Sequence, residues 1–240
     1  MAVRARHGDQ AQVTLHLHAL RMVMAVLALA ALVAACASGP VPPEWQTSAK
    51  GALDRATAAY LAGDARAEAD EFERARSAIA RTGRGELLAR AELMRCAARV
   101  ASLVLEPCER FEALRADAAA PEIAYAEYLA VHKLAAVDIA RLPPAQQPAA
   151  AAIAAGQPAP ASVASIDDPL SRLIALAVLF QAGQASPAMM ALAADTASLQ
   201  GWRRPLLAWL KVHALRAERA GDAAEAQRLQ RRIAIVQDAR

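Results

Sequence analysis

Apolar and polar residues follow different patterns near the N-terminus and in the rest of the chain. Arg21 is followed by an unbroken run of fourteen apolar residues, Met22–Ala35, and then by Cys36. As a helix this run would rise about 21 Å, which is short of the ~30 Å hydrocarbon core of a bilayer. The pattern therefore predicts a secretion signal rather than a permanent membrane span.

Helical periodicity dominates the chain from Glu44 onward. Between residues 65 and 81, for example, apolar residues recur at gaps of three and four, which is the spacing of one helix face. Reading the whole chain in this way, with Pro and Gly as boundaries, predicts helices at about 44–62, 65–81, 86–101 or beyond, 107–116, 121–140, 145–155, 169–182, 187–199, 202–220 and 222–239. The segment 38–43 is rich in Pro and predicts an extended tether, and the segment 156–168 predicts a loop.

The end of the apolar run carries a recognisable motif. Val33-Ala34-Ala35-Cys36 resembles the lipobox of bacterial lipoproteins, which has an aliphatic residue, two small residues and a cysteine. In that family the thiol is lipidated and the leader is removed before the cysteine. The resemblance implies that residues 1–35 are a signal peptide and that a lipidated Cys36 begins the mature chain. The alternative is an ordinary leader that is cleaved elsewhere, with Cys36 there by chance.

The residue after Cys36 bears on the destination of the mature chain. In enterobacterial lipoproteins an Asp at this place retains the protein in the inner membrane, whereas this chain has Ala37. The resemblance therefore implies an anchor in the outer membrane of a bacterial cell envelope, facing the periplasm.

Composition and charge limit the fold class and the partners. Ala is abundant, only 10 residues are Gly and aromatic residues make up 4%. Because alternating β-branched runs are also absent, the sequence predicts an all-α domain. The formal net charge is +3, but most of this excess lies in the leader, on Arg4, Arg6 and Arg21. The mature chain is close to neutral, so the sequence gives no reason to expect nucleic-acid binding.

Three predicted turns between helices share a glycine followed by a polar residue: Gly63-Asp64, Gly183-Gln184 and Gly221-Asp222. They resemble the turn between the two helices of a tetratricopeptide repeat, in degenerate form. The resemblance implies that residues 44–240 form antiparallel helix pairs in a short α-solenoid similar to that family. The alternative is a helical bundle without repeats.

The two cysteines that follow the anchor form the first candidate site. Cys96 and Cys108 are an even pair in a chain that is expected to reach an oxidising compartment, which favours a disulfide. They can meet only if the third helix ends near Ala101 and the chain then turns back, because disulfide-bonded residues have α-carbons within about 7 Å. The alternative is two buried free thiols.

A second candidate site is a stripe of polar aromatic residues. Tyr125, Tyr128 and His132 recur at gaps of three and four, so they would share one helix face. Such a stripe either lines a groove for a peptide or sugar, or packs in the core with its polar atoms hydrogen-bonded.

The sequence contains none of the motifs that would indicate a familiar catalytic site. It lacks a Gly-rich phosphate loop, G-x-S-x-G and H-E-x-x-H, and its Cys and His residues do not have metal-ligand spacing. We therefore predict no cofactor and no metal, and we do not expect an enzyme. The favoured hypothesis is a lipid-anchored helical-repeat adaptor that binds a protein partner in the envelope. The alternative is a periplasmic lipoprotein that binds or processes a small ligand or cell-wall glycan.

Overall fold

The structure is a computed structural model that describes residues 42–158 and 161–238, together with residues 21, 22 and 24. The chain divides into two units, Met1–Pro43 and Glu44–Arg240, and the second contains the fold described below. The lipobox with Cys36 and most of the predicted tether lie outside the described residues. In the part of the chain that is described, every helix is too short or too polar to span a membrane.

The second unit is helical throughout its described residues, as predicted, and contains no strand there. Its α-helices are α1 (Glu44–Ala62), α2 (Ala65–Ala80), α3 (Gly85–Ala101), α4 (Glu109–Glu112), α5 (Ala120–Leu129), α6 (Ala136–Ile139), α7 (Gln147–Ala155), α8 (Pro169–Gln181), α9 (Pro187–Leu199), α10 (Arg203–Arg219) and α11 (Ala223–Asp238). Single 3-10 turns lie at Arg115–Asp117 and Ala161–Val163.

Helix α8 is at the centre of the unit. Every residue from Leu173 to Leu179 is buried, so this helix is apolar on all sides. A helix of this kind must be surrounded by other helices to be stable in water. Helix α8 packs against α3 and α9, and the edge of the Phe180 ring at its end meets Trp209 of α10.

Successive helices pack as antiparallel pairs, which confirms the predicted all-α class. Helices α1 and α2 form one pair, and α9, α10 and α11 form two more in succession. The packing also joins distant parts of the chain, because α10 lies against α1. There the Arg204 guanidinium donates from Nε to the Tyr60 carbonyl at 2.7 Å and stacks over the Tyr60 ring.

Two predicted helices are wrong. The one predicted over 107–116 is only the single turn of α4, followed by the 3-10 turn Arg115–Asp117. The sequence predicted a single helix over 121–140, whereas α5 ends at Leu129 and only the short α6 follows. Val131 adopts a left-handed backbone with φ of 60°, and the next amide, that of His132, donates to the Glu127 carbonyl at 2.9 Å. A β-branched residue rarely takes this conformation, so its sequence gave no stop signal.

Candidate functional site

The Cys96–Cys108 disulfide is present, as predicted, and it shapes the surface around it. Helix α3 ends at Ala101, Leu103 turns the chain with φ of 57°, and the Val104 amide donates to the Arg99 carbonyl at 3.0 Å. The chain then runs back beside α3, so that the two α-carbons lie 5.7 Å apart. The disulfide could form only if α3 ended near Ala101, and the structure meets this condition.

Residues 102–108, which we call the strap, separate two cavities. The first has a volume of about 310 Å³ and lies between the strap and the C-terminal end of α5; we call it the cleft. The second has a volume of about 390 Å³ and lies on the other side, over the two cysteines; we call it the disulfide cavity. Glu106, Pro107 and Cys108 line both cavities, so one short segment forms a wall of each.

The walls of the cleft are mostly apolar. They are formed by Val100, Leu105, Pro107, Leu129 and Ala130. These residues come from the ends of α3 and α5 and from the strap, and Gln181 at the end of α8 also lines the cleft. Three helices thus end at the same cavity, and its apolar surface remains partly open to solvent.

A chain of ionic contacts lies along the rim of the cleft. The Arg115 guanidinium donates to Glu112 at 2.6 Å and lies 2.9 Å from a Glu127 oxygen. The other Glu127 oxygen contacts Nδ1 of His132. These contacts, with His132 first and Arg115 next, lower the pKa of Glu127, and the hydrogen bonds that Arg115 donates to Glu112 raise the pKa of Arg115. The rim charges are therefore held in mutually neutralising contacts.

The structure separates His132 from the two tyrosines of the predicted stripe. Tyr128 is 2% exposed, and its hydroxyl donates to Gln146 at 2.9 Å. Its ring stacks on that of Tyr125 at a centroid distance of 6.0 Å, and burial raises the pKa of both phenols. His132 lies beyond the end of α5, exposed at the rim of the cleft. Only His132 of the three lines the cleft.

Sequence reasoning missed the other charged residues of the rim. Glu127 and His132 are five residues apart, which is not a spacing that pairs side chains on a regular helix. They meet because the left-handed Val131 turns the chain between them. Arg115 reaches the same point from the 3-10 turn after α4, a contact that helical periodicity does not indicate.

Comparison of the chain with protein-family models, curated proteins and solved structures gives no match. The site is therefore interpreted from its own geometry. Within residues 42–158 and 161–238, no three His, Cys, Asp or Glu side chains are grouped so that they could hold a metal ion. What the cleft offers is a mostly apolar recess of about 310 Å³ with an ion-paired rim.

Proposed function

We propose that this protein is a lipid-anchored adaptor of the bacterial cell envelope, held in the outer membrane and facing the periplasm. Its helical domain binds a partner protein. The anchor rests on Val33-Ala34-Ala35-Cys36 after the apolar run. The adaptor role rests on the all-helical domain and, above all, on the cleft between the strap and α5.

The combination of apolar walls and an ion-paired rim in the cleft is the observation that supports protein binding best. Its walls are apolar and its charged rim groups already contact one another. An apolar side chain from a partner would remove the walls from water without separating an ion pair. Burying such a side chain contributes about 1.5–3 kcal/mol. Interfaces are commonly anchored by a few side chains that fill pockets of this kind.

The lipid anchor is tested by Cys36→Ser. Each buried methylene of an acyl chain contributes about 0.8 kcal/mol to membrane binding, so two or three chains hold the protein firmly. Without the thiol we expect the protein to leave the membrane fraction or to remain as the uncut precursor. A Cys36→Ser protein that fractionates with membranes at the mature size would contradict this part of the proposal.

The role of the cleft is tested by filling it. Ala130 is exposed, lines the cleft and has a negative φ of −82°, which residues with a side chain adopt. Ala130→Trp should leave the circular dichroism spectrum unchanged and lower recovery of the partner at least tenfold, equivalent to about 1.4 kcal/mol. Recovery is measured by cross-linking and quantitative co-purification from detergent-solubilised membranes.

The matched control is Ala140→Trp. Ala140 is also exposed and also caps a helix, but it does not line the cleft. Equal recovery of the same partners by the wild type and by both folded variants would show that the cleft is not the binding surface.

A second function has one specific observation in its favour. Glu127 contacts Nδ1 of His132, as an orienting carboxylate does in many catalytic sites, beside a cavity that could admit a small ligand or a cell-wall sugar. His132→Gln should then abolish a measurable hydrolysis or ligand uptake and leave partner recovery intact. The adaptor proposal expects no such activity in the wild-type protein.

A further inference from the structure

The strap is held to α3 by few polar contacts. The Ser102, Leu103 and Val104 amides donate to carbonyls at the end of α3, at 3.0, 2.8 and 3.0 Å. Beyond them, Glu106 contacts Arg99 at 2.9 Å through side chains that are both exposed. An exposed ion pair of this kind contributes about 0–1 kcal/mol. Leu103 and Leu105 also pack against the core, and the disulfide is the covalent cross-link that ties the far end of the strap to α3.

The disulfide lies at the edge of the core and borders a cavity. Cys96 and Cys108 both line the disulfide cavity, and Cys108 is half-buried. The rest of the lining includes as many acidic as basic residues: Glu92, Glu106, Glu109, Arg95, Arg99 and Arg110. A reducing thiolate can therefore approach Cys108 from solvent and attack its sulfur.

We propose that the Cys96–Cys108 disulfide is a reversible latch on the cleft. In the disulfide form the strap is fixed as the wall that the cleft and the disulfide cavity share. In the dithiol form the strap leaves α3 and the cleft loses Leu105, Pro107 and Cys108 from its wall. The latch regulates the site on which the proposed function rests, so partner binding requires the oxidised form.

The exchange reaction is a two-electron reduction by a dithiol. One thiolate of the reductant attacks Sγ of Cys108, the Cys96–Cys108 bond breaks, and Cys96 leaves as a thiolate. The second thiol of the reductant then displaces Cys108 from the mixed disulfide. The reductant ends as a disulfide, and Cys96 and Cys108 each take up a proton. Oxidation by a disulfide of the envelope reverses these steps.

Helix α3, to which the disulfide ties the strap, is fixed by core packing that does not involve the disulfide. Trp209 is fully buried and donates from Nε1 to the Ala101 carbonyl at 3.1 Å, which fixes the last residue of α3 independently of the disulfide. The buried segment Leu173–Leu179 of α8 packs against α3 on the inner side. Reduction should therefore free the strap while the helices keep their places.

Hydrogen exchange of the full mature chain in detergent tests the latch. Adding dithiothreitol should accelerate exchange at the Leu103 and Val104 amides at least tenfold and leave the amides of Leu173–Leu179 unchanged. The variant carrying both Cys96→Ser and Cys108→Ser should show the fast exchange with or without dithiothreitol. In the same samples, partner recovery by the wild type should fall at least tenfold on reduction. Partner recovery by the variant should be low with and without dithiothreitol.

Three results would each overturn a distinct part of this account. If dithiothreitol reduces the disulfide only when Leu173–Leu179 also exchange, the bond holds the whole fold and is not a latch. If the double-serine variant exchanges like the oxidised wild type at the strap, the bond does not hold the strap. If the strap opens as expected while partner recovery is unchanged, the latch stands and the cleft is not the partner site, so the proposed function fails.

Discussion

Some helices of this domain end at a left-handed glycine, and two others end at a left-handed Leu103 or Val131. The hydrogen-bond pattern is the same at both kinds of helix end. At Gly183, with φ of 73°, the next amide donates to a carbonyl five residues back at 2.9 Å. The amides after Leu103 and Val131 do the same at 3.0 and 2.9 Å. At Gly183 the left-handed backbone carries no steric cost, whereas for a residue with a side chain it costs roughly 1–2 kcal/mol.

The two helix ends that carry this steric cost, at Leu103 and Val131, both lie at the cleft. Glycine ends the helix at tight turns within helix pairs, such as α8–α9 and α10–α11. Leu103 and Val131 lie where α3 and α5 end at the cleft, and they direct the strap and His132 to opposite sides of it. Backbone strain tends to be retained where a site depends on it. The comparison therefore supports the cleft as the functional part of the domain.

Removing the support beneath the end of α3 should have the largest effect. Trp209 is fully buried, meets the Phe180 ring at a centroid distance of 5.6 Å and holds the Ala101 carbonyl. Trp209→Ala should lower the free energy of unfolding by about 3–5 kcal/mol, because truncation leaves a cavity and an unpaired carbonyl. Urea denaturation followed by circular dichroism measures this loss.

The control for Trp209→Ala is a substitution of an exposed residue. Leu199 is 84% exposed, so Leu199→Ala should change the free energy of unfolding by less than about 0.5 kcal/mol. If Trp209→Ala were as mild as this control, Trp209 would not support the end of α3.

Most of the helices could be predicted because proline and glycine mark their ends. Helices α1 and α9 have the predicted bounds, and Pro187 and Gly63 lie at such ends. The disulfide was predicted from cysteine parity and from the oxidising compartment that the leader implies. The cleft could not be predicted, because it depends on left-handed turns at Leu103 and Val131, where tertiary packing overrides the local preference of the residue.

The next prediction concerns a side chain introduced at Gly183, which makes this helix end similar to the one at Val131. At Gly183 a Cβ atom would have no neighbour within 4 Å, so only the backbone resists a side chain there. Gly183→Val should therefore lower the free energy of unfolding by roughly 1–2 kcal/mol. Urea midpoints of the two proteins give the difference. An unchanged midpoint would mean that this end of α8 carries no steric requirement, and the contrast with Val131 would disappear.

The reverse substitution should have a smaller effect. Val131→Gly relieves the left-handed strain, but it removes a half-buried side chain and makes the unfolded chain more flexible. Because these contributions oppose each other, we expect a change below about 1 kcal/mol in the same urea assay. A loss as large as that of Gly183→Val would show that packing of the Val131 side chain outweighs the strain at the cleft.

The smallest effect that we expect is a pH dependence within the glycine-ended pair α10–α11. His213 is buried on α10, and its Nε2 lies 3.9 Å from a Glu225 oxygen of α11. Burial lowers the pKa of His213 most; Glu225 raises it, and Arg228, Arg216 and Arg232 lower it further. The folded state thus binds the proton less tightly than the unfolded state, whose histidine titrates near 6.5. Stability from this group is present above pH ~6.5 and declines as the pH falls below that value.

The measurement is the urea midpoint at pH 7.5 and at pH 5.5. The wild type should lose stability at the lower pH, and His213→Gln should lose less, because a neutral amide has no proton to take up. His132→Gln is the control, since that ring is exposed at the rim of the cleft, far from α11 in sequence. It should retain the part of the pH dependence that His213 contributes. If His132→Gln flattened the response and His213→Gln did not, the pH-sensitive contact would belong to the cleft and its left-handed helix end.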